Sequence, residues 1–130
     1  MRVLIVDDEP TVVDFFSQAA TARGAADIDT AFSGEEALGL IIQKTYDLIM
    51  LDIRMPGMSG LEILSPLRNM CPHAIIAIIS GNIPEDLSED LAGCADLIIH
   101  KPVKLDTFNE LLDGASRISQ TMEEIRELGD

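Results

Sequence analysis

The chain contains no tryptophan, one tyrosine and four phenylalanines in 130 residues. Its core must be built from aliphatic side chains, and it lacks the row of aromatic faces on which nucleotide bases stack. Basic residues are also scarce: nine Lys and Arg stand against 23 Asp and Glu, a formal net charge of −14. Nucleic-acid binding sets cations against phosphates, so a segment this acidic is not made to hold DNA or RNA directly. The two cysteines, Cys71 and Cys94, match no metal-binding spacing and predict a reducing, cytoplasmic setting. No apolar run approaches the roughly 18 residues that a membrane span needs. The first apolar run begins at Val3, which predicts no secretory leader.

What the chain does have is a set of short apolar runs, each ending in a polar or charged residue. The central one is Leu48 to Leu51, closed by Asp52 and followed by a loop rich in Pro and Gly up to Gly60. An unbroken apolar run of this length is too short for a helix and suits a strand buried on both faces. Val3 to Val6 ends in Asp7-Asp8-Glu9, Ala74 to Ile79 ends in Ser80-Gly81, and Leu97 to Ile99 ends in His100-Lys101-Pro102. A weaker strand reads from Ile28 to Phe32.

Helical stretches lie between the strands. Pro10 suits a first turn, Val12, Val13, Phe16, Ala19 and Ala20 give a stripe, and Gly24 closes it. Ser33 and Glu36 form a capping box before Ala37, Leu38, Ile41 and Ile42. Gly60 to Met70 places Leu61, Leu64 and Leu67 inward, with Pro66 expected to kink or shorten it. Pro84 to Ala92 reads as a thin acidic helix anchored by Leu87 and Leu91, and a long helix starts near Lys104. Five strand–helix units in alternation predict an α/β fold: a doubly wound five-stranded parallel sheet of flavodoxin-like order 2-1-3-4-5, with helices on both faces.

In such a sheet the reactive crevice lies at the carboxyl ends of the strands, between the first and third. That crevice gathers Asp7, Asp8 and Asp52, three acids that repel one another unless a cation joins them. A hard divalent ion with oxygen ligands resolves the conflict, and Mg2+ fits a site of a few carboxylates that keeps several waters. Ser80 adds a hydroxyl and Lys101 a compact cation at neighbouring strand ends. These are the parts for phosphoryl transfer onto an aspartate. Taken singly, each has a plainer reading: Asp7 as a helix-terminus charge, Ser80 as a turn residue, Lys101 as a surface lysine. His73 and His100 read as ordinary surface or strand-end residues.

The pieces Val-Asp7-Asp8-Glu, Leu51-Asp52-Ile-Arg-Met-Pro-Gly-Met-Ser-Gly60, Ser80-Gly and Lys101-Pro102 resemble the receiver domain of two-component response regulators, across nearly the whole chain. The resemblance implies that Asp52 accepts a phosphoryl group from a sensor histidine kinase or phosphotransfer protein. It implies a signalling switch and not an enzyme acting on a separate substrate. It further implies that Asp8, Asp52 and the Arg54 backbone carbonyl hold Mg2+, with Asp7 acting through water, and that Ser80 and Lys101 contact the phosphoryl group. A cis peptide is implied before Pro102. The family's usual aromatic three residues before the lysine is Ile98 here, so the switching of the output face departs from the family pattern. Arg54 and Asn82 are expected to flank the site and to tune the phosphoryl lifetime.

Of the rival readings, a phosphatase resembling the haloacid dehalogenase group needs a second acid two residues after its nucleophile, where this chain has Arg54. A degenerate docking module would lack an acid or the lysine, and a flavin module would need a phosphate-cradling loop after the first strand. The tail closes the reading. Residues 1–114 form the receiver domain and 115–130 a helical extension. Leu105, Phe108, Leu111, Leu112 and Ala115 form a wide stripe suited to packing against the sheet. Beyond it the stripe narrows, and Phe108, Leu111, Ala115, Ile118, Met122 and Ile125 are spaced 3, 4, 3, 4, 3, as in a coiled-coil seam. Two outcomes stay open for this tail: pairing with its copy in a homodimer as a coiled-coil linker to an output domain, which the spacing favours, or a helix that folds back or frays.

Overall fold

The computed structural model of the chain describes residues 1–25, 27–58, 60–81, 89 and 93–129. The elements in order are β1 (Arg2–Val6), α1 (Pro10–Ala22), β2 (Asp27–Ala31), α2 (Gly34–Gln43), β3 (Leu48–Asp52), α3 (Gly60–Met70), β4 (Ile75–Ser80), β5 (Leu97–His100) and α4 (Leu105–Glu127). All strand pairs are parallel, in the order β2-β1-β3-β4-β5, as the alternating pattern predicts. The acidic helix expected over 84–92 falls, except for Glu89, outside the described residues, as does Asn82.

The unbroken apolar runs divide between two cores, because successive strand side chains point to opposite faces. Val3, Ile5, Leu48, Met50, Ala77 and Ile79 meet α1 and α4 on one face. Leu4, Val6, Ile49, Leu51, Ile76 and Ile78 meet α2 and α3 on the other. Burying each such Leu or Ile contributes roughly 1.5–3 kcal/mol. The first core closes on the Phe16 and Phe108 rings, whose centroids lie 4.8 Å apart.

Several expectations shift by a residue or a face. The second strand ends at Ala31, leaving Phe32 exposed. On α3 the buried stripe is Gly60, Ile63, Leu64 and Leu67, with Leu61 only half-buried. The 60/63/64/67 spacing is the helical face, and a count of leucines alone misses Ile63. On α2, Ile41 is buried but Ile42 is 71% exposed, one step of 100° further round the helix. On α4, Leu105 is exposed and Leu111 only half-buried beside buried Phe108, Leu112 and Ala115.

The helix termini follow the sequence more closely. Ser33 Oγ accepts the Glu36 N–H at 3.2 Å, while the Glu36 carboxylate reaches back to the N–H of Phe32 and not of Ser33. Gly24 follows the last turn of α1 with φ 93°, the left-handed conformation that a helix C-terminus favours. The α3 helix continues past Pro66 to Met70. No disulfide joins Cys71 and Cys94, and Lys101–Pro102 is cis. Among the described residues no helix is long and apolar enough to cross a membrane.

Candidate functional site

Strand register sets the site. Val6 is level with Leu51 across β1 and β3, so the next residues, Asp7 and Asp52, leave the sheet side by side. Across β4 and β5, Ser80 is level with His100. The Lys101 N–H donates to the Ser80 carbonyl at 2.9 Å, which carries the ladder one step further and anchors the lysine at the same edge.

Asp7 and Asp52 are buried, 3% and 4% exposed, and Asp8 is half-buried. One ligand oxygen from each lies within 4.8 Å of the others. The two buried carboxylates are held alike. Asp7 Oδ1 accepts the Glu9 N–H at 3.0 Å, and Asp52 Oδ1 accepts the Arg54 N–H at 3.0 Å. Each is the turn an aspartate makes with its own backbone two residues on. Their other oxygens face the Lys101 ammonium, Asp7 Oδ2 at 3.1 Å and Asp52 Oδ2 at 3.5 Å. Lysine therefore bridges both acids and sits closer to Asp7 than to Asp52.

The electrostatics follow from this arrangement. Burial pushes the Asp52 carboxyl above the ordinary range, and the charge of Asp7 adds to it. Both outweigh the Arg54 N–H and Lys101, which act in the opposite direction. Burial acts to lower the Lys101 pKa, but its hydrogen bond to Asp7 and the charges of Asp52 and Asp7 raise it above the ordinary value. One ammonium faces three clustered acids, a donor set of hard oxygens with surplus negative charge. That set fits a divalent cation of the Mg2+ type.

Ser80 is fully buried at the end of β4. Arg54 is exposed and reaches the site through its backbone. Ile98 is 36% exposed on edge strand β5, level with Ile78. His73 and His100 are exposed. Gly60, which closes the motif after Asp52, has a packing role that the sequence does not show: a Cβ there would lie 2.5 Å from both the Asp52 carbonyl oxygen and Ile53 Cα. The start of α3 thus presses on the backbone that carries Asp52, and only glycine allows it. On the α1 side, Thr11, Val12, Phe15, Phe16, Pro102 and Val103 line an apolar groove of about 420 Å³ together with Lys101.

Fold and site together define an α/β domain with an aspartate-centred acidic pocket at the carboxyl edge of a flavodoxin-like sheet. The chain belongs to the response regulator receiver domain family, which matches residues 3–113. It is 30% identical over 118 residues to the transcriptional regulatory protein TcrA of Mycobacterium tuberculosis, covering 90% of this chain and 46% of TcrA. It is 35% identical over 100 residues to YvrH of Bacillus subtilis, covering 77% of this chain and 42% of YvrH. The response regulator TrrA of Thermotoga maritima, solved in complex with Mg2+–BeF, superposes with a TM-score of 0.76 at 34% identity, over 88% of this chain and 97% of TrrA. The chain spans about half the length of the curated relatives it matches. It is a phosphoacceptor signalling domain, and the phosphatase alternative finds no support in these matches.

Proposed function

We propose that Asp52 is the phosphoacceptor and that this domain receives its phosphoryl group from a phosphohistidine on a sensor kinase or phosphotransfer protein. The observation that carries the reading is the buried Asp52 carboxylate, held by the Arg54 N–H beside Asp7, Asp8 and Lys101. In the transfer one Asp52 oxygen attacks phosphorus, the phosphorus–nitrogen bond breaks, and imidazole leaves. The Lys101 ammonium moves from neutralising Asp7 and Asp52 to neutralising the phosphoryl oxygens, and Ser80 offers its hydroxyl. The partner approaches along the apolar α1 groove, whose lining includes Lys101. The test is uptake of one phosphoryl group from a small acyl phosphate with Mg2+, read by intact mass.

Asp8, Asp52 and the Arg54 carbonyl would hold Mg2+, with Asp7 contributing through water. When bound, the ion supplies positive charge that offsets the clustered acids and the incoming phosphoryl group. The Mg2+ complex of TrrA supports this assignment. Asp8→Asn is expected to weaken Mg2+ binding by more than tenfold, as loss of a direct ligand, and Asp7→Asn by less. Because it removes one of three repelling charges, Asp8→Asn should also raise the metal-free melting temperature. Calorimetric titration shows both effects when paired with thermal melts, and unchanged Mg2+ affinity in Asp8→Asn would refute the ligand set.

The tail carries the partner reading further. The α4 helix runs without a break through Gly114, and Ser119 Oγ donates to Asp47 Oδ1 at 3.3 Å. Of the seam positions, Phe108 and Ala115 are buried in the domain's own core, while Ile118 and Ile125 are 53% and 54% exposed. The proposed occupant of this seam is the same helix of a second copy, because a 3-4 repeat is self-complementary. Sedimentation of the phosphorylated full chain should show a dimer, with a variant carrying Ile118→Glu and Ile125→Glu monomeric. Monomers in both, at high concentration, would remove the dimer from the proposal.

A further inference from the structure

The stretch 53–58, between β3 and α3, belongs to no helix or strand, yet it sets where the Arg54 backbone meets Asp52. Its near end is fixed by the Arg54 N–H on Asp52 and by buried Ile53 and Met55. Its far end is fixed from a different element. Glu35, in the first turn of α2, accepts the Met58 N–H on Oε1 at 3.3 Å. Beside it, a Cβ on buried Gly34 would lie 2.7 Å from the Met58 carbonyl oxygen and 3.1 Å from Ile63 Cγ2. The α2 N-terminus thus meets both backbone polar groups of one residue, Met58: the N–H through the Glu35 carboxylate and the carbonyl through the close approach of the Gly34 backbone. This is a close approach to the phosphoacceptor loop from an element that carries none of the reacting groups.

We infer that Glu35 is a positioning residue for the phosphoacceptor loop, holding Met58 so that the Arg54 backbone stays in place at Asp52. The inference rests on Asp52 being the phosphoacceptor. Glu35 is exposed, which gives a plain alternative: a first-turn acid that only favours the α2 dipole. The two roles separate by experiment. If Glu35 positions the loop, losing its acceptor weakens Mg2+ binding and slows phosphorylation, while glutamine, which keeps the acceptor but not the charge, restores both. If it acts only as a charge, glutamine and alanine behave alike.

The experiment uses the full chain with Mg2+ and acetyl phosphate, comparing wild type, Glu35→Ala, Glu35→Gln, Gly34→Ala and Asp52→Asn. Glu35→Ala is expected to weaken Mg2+ binding and slow phosphorylation about fivefold, below the loss seen when the partner of a buried metal ligand is removed. It should also shift the Arg54 amide resonance. Glu35→Gln should return all three toward wild type. Gly34→Ala, which drives a methyl group onto the Met58 carbonyl, should match or exceed Glu35→Ala. Wild-type Mg2+ affinity and rate in Glu35→Ala, or equal losses in the alanine and glutamine variants, would overturn the positioning role. Asp52→Asn keeps the two failures apart: phosphoryl uptake in that variant would sink the site assignment itself, whatever Glu35 does.

Discussion

Asp52→Asn should abolish phosphoryl uptake outright. Asparagine has nearly the shape of aspartate, and its Oδ1 can still accept the Arg54 N–H that aspartate takes at 3.0 Å. The loop therefore has no reason to move, but the amide is not a nucleophile and the reaction has no first bond to make. The same substitution should stabilise the metal-free protein. Asp52 has a folded pKa above its unfolded value, from burial first and the charge of Asp7 next. For an acid shifted upward the ionised form is the disfavoured one. The penalty is absent at pH below the ordinary carboxylate value, where both states hold the proton. It grows as pH rises from there through the raised folded value, and persists above it. Metal-free wild type should thus lose stability across that window relative to Asp52→Asn, and Mg2+ should raise the wild-type melting temperature more than the variant's. Intact mass after acetyl phosphate treatment checks the first claim, and melts at several pH values check the second. Persistent modification in Asp52→Asn would mean that another residue accepts the phosphoryl group.

Much of this was legible in the sequence because a parallel sheet buried on both faces writes itself as continuous apolar runs, and their abrupt ends mark the reactive edge. The apolar runs alone place Asp7, Asp52, Ser80 and Lys101 each at a strand terminus. What could not be read was contact between elements far apart in the chain. That Lys101 lies nearer Asp7 than Asp52 depends on side-chain reach across two strands. The Glu35 contact to Met58 joins residues 23 positions apart. Arg68 leaves no periodic signal, yet it donates to the carbonyls of Cys94 and Ala74 and pairs with Asp96 at 2.7 Å, tying the end of α3 to the approach to β5. The inward residues of a helix were legible only as a stripe, so Ile42 and Leu61, one step off their stripes, were misplaced. The helical tail showed its spacing but not that Ser119 meets Asp47, a contact between residues 72 positions apart.

Lys101→Met should separate stability, phosphorylation and signalling more sharply than any other single change. Methionine keeps most of the apolar stem but removes the one ammonium that bridges Asp7 and Asp52. Those carboxylates are then left buried, adjacent and uncompensated. Removing one partner of a fully buried pair costs about 3–5 kcal/mol. The Lys101 side chain keeps 24% of its exposure, so roughly 2 kcal/mol is the reasonable figure, or about 8 °C of melting temperature for a chain of this size. The loss should shrink as pH falls, because a protonated Asp52 no longer opposes Asp7, and it should shrink with Mg2+, whose charge substitutes for the ammonium. Asp52 remains present and chemically competent, so uptake from acetyl phosphate should slow but continue. The conformational response should fail, because a switch needs a group that binds its trigger differently in the two states. Lys101 can do this by leaving Asp7 for the phosphoryl oxygens, carrying the end of β5 with it. Amide resonances of β4 and β5 should therefore move on phosphorylation in wild type and stay near their resting positions in Lys101→Met, with Ser80→Ala showing a partial loss. Shifts of wild-type size in a fully phosphorylated Lys101→Met protein would show that the signal leaves Asp52 by another route, and the β3–α3 loop held by α2 is then the next place to look.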